Sequence, residues 1–309
     1  MFNVKKEKIE QFTKIILINS ITKEYISIIP DFGANVNEII LFKNNKLFSI
    51  LDGYQTYSEV IKNKGSKGAK LVPFPNRINS GSYIFNNNKY QLPINFLSQG
   101  HAIHGLIYNK KFNIKKISTT KTKAYVILEY NYKKEISGYP FSFKLKIKYS
   151  LDTKGFNVET TIKNTDSTNI PVGDGWHPYF KIGNNVEDLF LKLPTNKKIT
   201  VNKRMIPTGK YSKYNKFDSL TKIGKTNFDT GFVINKNNAS TVIYSSKQDI
   251  SLNVWQNNYN YLQVFIPPLR NSIAIEPMSC NTDAFNNKKG LIILKPKENF
   301  KASYGVFLS

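Results

Sequence analysis

The chain has 309 residues, 40% of them hydrophobic and 13% aromatic, which is too apolar for a disordered polypeptide and long enough for a substantial core. A formal charge of +24 does not make it a nucleic-acid or membrane binder, because only Arg77, Arg204 and Arg270 among its 45 basic residues are arginine, and the lysines are scattered among Asn and Ile instead of forming a patch. A single cysteine, Cys280, excludes an internal disulfide.

From the amino terminus, "MFNVKKEKIEQFTKIILINS" contains only the apolar run "IILI", too short for a signal-peptide core or a membrane span. A soluble, cytoplasmic protein is expected. Residues 141 to 151, "FSFKLKIKYSL", put Phe141, Phe143, Leu145, Ile147, Tyr149 and Leu151 on one face and mainly Ser and Lys on the other, the pattern of a half-buried strand. "DTKG" follows, then "FNVETTIKN" repeats the alternation, so the two runs predict an antiparallel hairpin. Similar runs recur at "KEYISIIP", "KAYVILEYNY", "STVIYSS", "ISLNVWQ", "YLQVFIP", "SIAIEPM" and "GLIILKP", and the Asn-rich pieces "NNNK", "NKNNAS" and "NNKKG" read as hairpin tips. No stretch keeps a 3.6-residue apolar period over the length of a stable helix, and no linker marks a boundary. An all-β fold with little helix is expected, an antiparallel sandwich or barrel, as a single domain over residues 1–309.

Several residues in this frame could carry chemistry. In "LVPFPNRINSGSYIF", Pro73 and Pro75 stiffen the approach to Arg77, whose planar fork of donors suits ligand oxygens, or local carbonyls if the residue is merely structural. "QGHAIHGL" holds His101 and His104; Gly105 favours His104 as the residue that a ligand approaches closely. No compact metal-ligand spacing is present, and no metal is expected. "GDGWHPYF" sets His177 between Trp176 and Pro178, and histidine exchanges protons near neutral pH most readily. Asp229 in "FDTGF" either caps a turn or grips a ligand. Glu276 in "SIAIEPM" leaves a strand in apolar company, which would raise its pKa and suit a general base, unless a lysine pairs with it.

Taken in order, "VPFPNRI", "HAIHGL", "GDGWHPYF" and "IEPMSCNTDAF", together with the opening "YISIIPDFGANVNEIILFKNNKLFSIL", resemble the aldose 1-epimerase (galactose mutarotase-like) family over nearly the whole chain. The resemblance implies a large antiparallel supersandwich. It implies His177 as the general acid toward the sugar ring oxygen and Glu276 as the general base toward the anomeric hydroxyl. Arg77, His104 and Asp229 would bind sugar hydroxyls, and Trp176, Tyr179 and Phe180 would be walls for the sugar or core. The likeness departs at Phe112, where the family often has tryptophan, and at Asn281 and Thr282.

An acid and a base flanking the anomeric carbon suffice to open and reclose a pyranose, so no cofactor is expected. The reading is a mutarotase interconverting the α and β anomers of a free aldose, with a small sugar as its partner and a monomer or homodimer as its state. Two alternatives stand beside it. One is a mutarotase for a 6-phosphorylated or sulfonated sugar, with Arg204, Arg270 or local lysines meeting the anion. The other is a carbohydrate-binding protein without catalysis.

Overall fold

Apolar–polar alternation builds the longest strands of the molecule, which is a computed structural model describing residues 1–183, 185–234 and 239–309. Ser142–Asp152 and Gly155–Asn164 pair as the expected hairpin, with Asp152 opposite Gly155 across a two-residue turn. Phe143, Leu145, Ile147, Tyr149 and Leu151 are wholly buried, while Lys144, Lys146 and Lys148 lie on the outer face. Each such aliphatic side chain taken from water stabilises the fold by about 1.5–3 kcal/mol.

This hairpin is the third and fourth strand of a nine-stranded antiparallel sheet running from Asn113–Thr119 through Lys123–Lys133, the hairpin, Asn299–Leu308, Ile250–Asn257, Ala239–Ser245 and Phe190–Lys192 to Thr221–Lys222. A six-stranded antiparallel sheet contains, in order, Tyr179–Phe180, Ile273–Met278, Tyr261–Phe265, Asp229–Val233, Lys197–Val201 and Pro207–Lys213. Apolar residues of both sheets, among them Val158, Ile162, Leu262, Val264, Ile273 and Ile275, merge into one core cluster, giving an all-β antiparallel sandwich.

A five-stranded amino-terminal sheet, Phe2 to Ser49, adds residues to the same cluster. Its first strand, Phe2–Ile9, was not expected from the sequence. Lysines fill its exposed positions and blur the alternation, as they commonly do on an edge strand. Helix is confined to short pieces such as Tyr57–Lys62 and Ala284–Asn287, and among the described residues no helix is long and apolar enough to cross a membrane. "NNNK" turns the hairpin between Ser82–Phe85 and Asn88–Gln91. "NNKKG" does not turn a hairpin: it continues the helix Ala284–Asn287, where the Lys288 amide donates to the Ala284 carbonyl. The first four residues of "NKNNAS" lie outside the described residues.

Candidate active site

Strand register assembles the centre of the site. The pairings Tyr179–Ala274 and Gly175–Met278 bracket His177 directly opposite Glu276. Glu276 lies opposite Gln263 on the next strand, and Gln263 opposite Gly231 on the one after. Because successive side chains on a strand point to opposite faces, His177 shares a face with Tyr179, Gln263 with Phe265, and Asp229 with Gly231. All of these except Gly231, together with Glu276, line one cavity of about 540 Å³. That volume falls within the range of small-molecule sites.

Loops complete the walls. Arg77, in the two-residue strand Arg77–Ile78, pairs with Ile103 beyond the proline-stiffened approach. Its guanidinium donates to Gln99 Oε1 at 3.0 Å and Asn76 Oδ1 at 2.8 Å, and meets Asp229 Oδ2 at 3.5 Å over the Phe96 ring. Asp229 Oδ1 accepts from Gln263 Nε2 at 2.6 Å, so the carboxylate and guanidinium are held in one chain of contacts across the cavity.

His104 also lines the cavity, its backbone at φ 64 and its ring edge-on to His177, with centroids 4.9 Å apart. Gly105 serves a purpose other than ligand approach. A Cβ there would stand 2.3 Å from the Val72 carbonyl oxygen, so the missing side chain lets two backbones pack.

His177 Nε2 stands 3.5 Å from Glu276 Oε1, and the Tyr179 ring stacks on the imidazole at 4.9 Å. The acid and base candidates are therefore neighbours on one wall, not groups facing each other across the cleft. This geometry still serves the anomeric centre. O1 and the ring oxygen share one carbon and lie closer together than these two groups, so converging hydrogen bonds reach both from the same side.

Burial governs the charge of the pair. It pushes the Glu276 carboxyl well above the usual carboxylate range, helped by the negative Asp229 and opposed by Arg77. It pulls His177 down to about 4. His104 is pulled well below its ordinary value, first by burial and then by His177 and Arg77. The two neighbours thus hold one proton between them over a wide pH range. Shifting that proton from carboxyl to imidazole gives a carboxylate beside an imidazolium at no change in total charge. Glu276 Oε2, His177 Nδ1 and His104 Nδ1 are buried without a side-chain or backbone hydrogen bond among the described residues.

Glu276, His177, Arg77, His104 and Asp229 come together, and Trp176 does not. Trp176 is fully buried on the opposite face of the His177 strand, stacked on Tyr304 and donating to the Gly68 carbonyl at 3.3 Å, so it is a core residue and not a sugar-binding one. Phe180 and Phe112 are core residues too. His101 is structural, its Nδ1 accepting from the Ser80 amide and its Nε2 contacting the Arg204 carbonyl. Of the proposed anion contacts the two arginines fall away, while one local lysine, Lys62, lines the cavity. Arg270 is held by Glu187, Asn227 and the Gly224 carbonyl, Arg204 by Ser80 and the Gln99 carbonyl, and neither lines the cavity. Among the described residues no group of three or more His, Cys, Asp or Glu gathers as a metal would need.

Asn76, Phe96, Gln99, Tyr108, Gln263 and Phe265 line the cavity without having been singled out by the sequence.

Comparison with known proteins places the chain in a family. The model described as Aldose 1-epimerase matches residues 18–306. The uncharacterized protein YihR of Escherichia coli (strain K12) is 31% identical over 248 residues, which cover 77% of this chain and 79% of that protein. Two solved structures resemble the fold over 100% of this chain and 98% of theirs. A galactose mutarotase-like protein from Clostridium acetobutylicum has a TM-score of 0.89 at 23% identity, and galactose 1-epimerase from Lactobacillus acidophilus NCFM has 0.83 at 18%.

Proposed function

This chain belongs to the aldose 1-epimerase family, and from that premise we propose that it interconverts the α and β anomers of a free aldose with Glu276 and His177 as its proton-transfer pair. The observation that carries the reading is the cross-strand placement of those two side chains, 3.5 Å apart in a cavity of sugar size.

In the reading, the Glu276 carboxylate removes the proton from O1 of the cyclic sugar as the bond from C1 to the ring oxygen breaks. His177 Nε2–H protonates the departing ring oxygen. The pair is left as a carboxylic acid and a neutral imidazole, the state that burial favours. After rotation about the C1–C2 bond, His177 takes the hydroxyl proton as that oxygen attacks the other face of C1, and Glu276 returns its proton to O1. The two groups end as they began, so no co-reactant is consumed. Each contributes about 10²- to 10⁴-fold. Arg77, held by Asn76 and Gln99, and Asp229, held by Gln263, orient the remaining hydroxyls, with His104 beside the ring oxygen's donor.

Anomer exchange measured by NMR over a panel of aldoses, each with and without a 6-phosphate, tests the reading. Acceleration of at least one unmodified aldose is expected. Exchange at the uncatalysed rate for every sugar, with binding retained, would make the protein a carbohydrate binder instead.

A further inference from the structure

Behind the His177–Glu276 row, on the face of the sheet turned away from the cavity, lies an ion pair that the proton chemistry does not use. Lys70 and Asp174 are both wholly buried, with Lys70 Nζ 2.7 Å from Asp174 Oδ1 and 2.8 Å from Oδ2. Thr160 Oγ1 accepts from the same ammonium at 3.1 Å, the Tyr259 hydroxyl donates to Asp174 Oδ2 at 2.5 Å, and the Tyr304 ring lies 5.1 Å from Nζ. Lys70 is neighbour to Trp176 across the strand pair whose other rung joins Ala69 to His177. Asp174 is bound on its other side to Ser279: the Asp174 amide donates to Ser279 Oγ and the Ser279 amide to the Asp174 carbonyl, each at 2.8 Å. Asp174 precedes His177 by three residues, and Ser279 follows Glu276 by three.

We infer that the Lys70–Asp174 pair is a positioning device that sets the register of the His177 segment against the Glu276 strand, and so the separation of the two proton-transfer groups. The inference rests on the catalytic reading above. The strand Trp176–His177 is only two residues long; the bridge Gly175–Met278 and the rungs Tyr179–Ala274 and Phe180–Ile273 on either side align it with the Glu276 strand, and the buried pair adds a penalty to any slip. Slipping it by one residue would turn His177 toward the core. The same slip would part Asp174 from Lys70 inside an apolar interior, where an unmatched charge is heavily disfavoured. Ser279 carries the constraint onto the third strand. Tyr259 and Thr160 anchor the pair to chain segments beyond those three, Thr160 lying in the nine-stranded sheet.

The diagnostic variant is K70M/D174N, which removes both charges with little change of volume; K70M alone would strand a buried carboxylate. The double variant is expected to fold, as read by circular dichroism, with kcat for anomer exchange reduced about 10- to 100-fold and KM within threefold of wild type, the signature of misplaced reacting groups. Imidazole ¹⁵N shifts give a readout independent of turnover. With three histidines in the chain, the His177 signals are assigned by their loss in H177N, and they are expected to move in K70M/D174N while those of His101 stay. A folded double variant with wild-type kcat and unmoved His177 signals would overturn the inference. So would a rise in KM matching the fall in kcat, which would make the pair a support of the sugar-binding wall. Should wild type itself accelerate no sugar, the catalytic reading fails, and the His177 signals alone decide whether the pair positions that ring.

Discussion

The nine-stranded sheet and the His177–Glu276 row are built by opposite rules. In the sheet's hairpin of residues 142–164, strands of ten and eleven residues repeat a two-residue alternation, and most of their buried positions, Phe143, Leu145 and Ile147 among them, are apolar. At the site, segments as short as two residues carry buried Arg77, His177 and Glu276, with the ion pair Lys70–Asp174 behind them. Burial stabilises the first region directly. In the second it shifts proton affinities and leaves polar atoms without protein partners, and the surrounding sheets must hold that arrangement in place.

Variants that strike one region and spare the other sharpen this contrast. Glu276→Gln should lower kcat by about 10³- to 10⁴-fold while leaving the melting temperature unchanged or higher, because a buried ionisable group is removed; polarimetry at the wild-type rate would refute the base assignment. Leu145→Ala should do the reverse, lowering unfolding free energy by about 2–5 kcal/mol in urea titration with kcat per folded molecule unchanged. His177→Asn should reduce kcat about 10²-fold with a much smaller change in sugar affinity, and equal losses of rate and affinity would indicate a positioning role.

Acidity separates the regions more gently. Below about pH 4 the neighbours take a second proton on His177 and no base remains, so turnover should fall on the acid side there; on the alkaline side it should fall when the raised Glu276 carboxyl loses its proton. Stability follows its own sign. The folded-state value of His177 lies below its ordinary 6.5, so the unfolded chain takes that proton first, and the contribution of His177 taken alone is lost as pH falls from 6.5 toward 4. Glu276, raised in the folded state, has the opposite sign, so between about pH 4.5 and 6.5 the two contributions offset each other, and His177→Asn should unmask a stability that rises as pH falls toward 4.5. The smallest expected change is in Arg270→Lys, whose kcat/KM should stay within about twofold of wild type, since the Arg270 side chain is taken up by Glu187, Asn227 and Gly224 away from the cavity.

The sheet was readable in advance because Lys and Ser fall between Phe, Leu and Ile through residues 141 to 164, and a period of two survives even a lysine-rich composition. Phe2–Ile9 escaped because lysine covers its outer positions. At the site, Arg77, His104, Asp229, His177 and Glu276 stood out as chemically distinctive residues in rigid or apolar settings. Gln263 did not: a glutamine in "YLQVFIP" is an ordinary strand residue until register places it beside Glu276. Trp176 was misplaced despite a usable signal, since consecutive strand residues cannot face the same way, and a cavity-facing His177 sends Trp176 into the core. Lys70 gave no signal at all, being one lysine among many.

The left-handed turn at Asn76, φ 57, which takes the His104 amide at 3.0 Å on its carbonyl, has an evolutionary consequence. Glycine would adopt that backbone more easily, and a drift toward it would relax the loop. It would also delete Oδ1, the atom that grips both the Arg77 amide and its guanidinium. Selection for robustness alone would therefore loosen Arg77, and the asparagine marks a compromise between how readily this loop forms and how firmly it holds its cation.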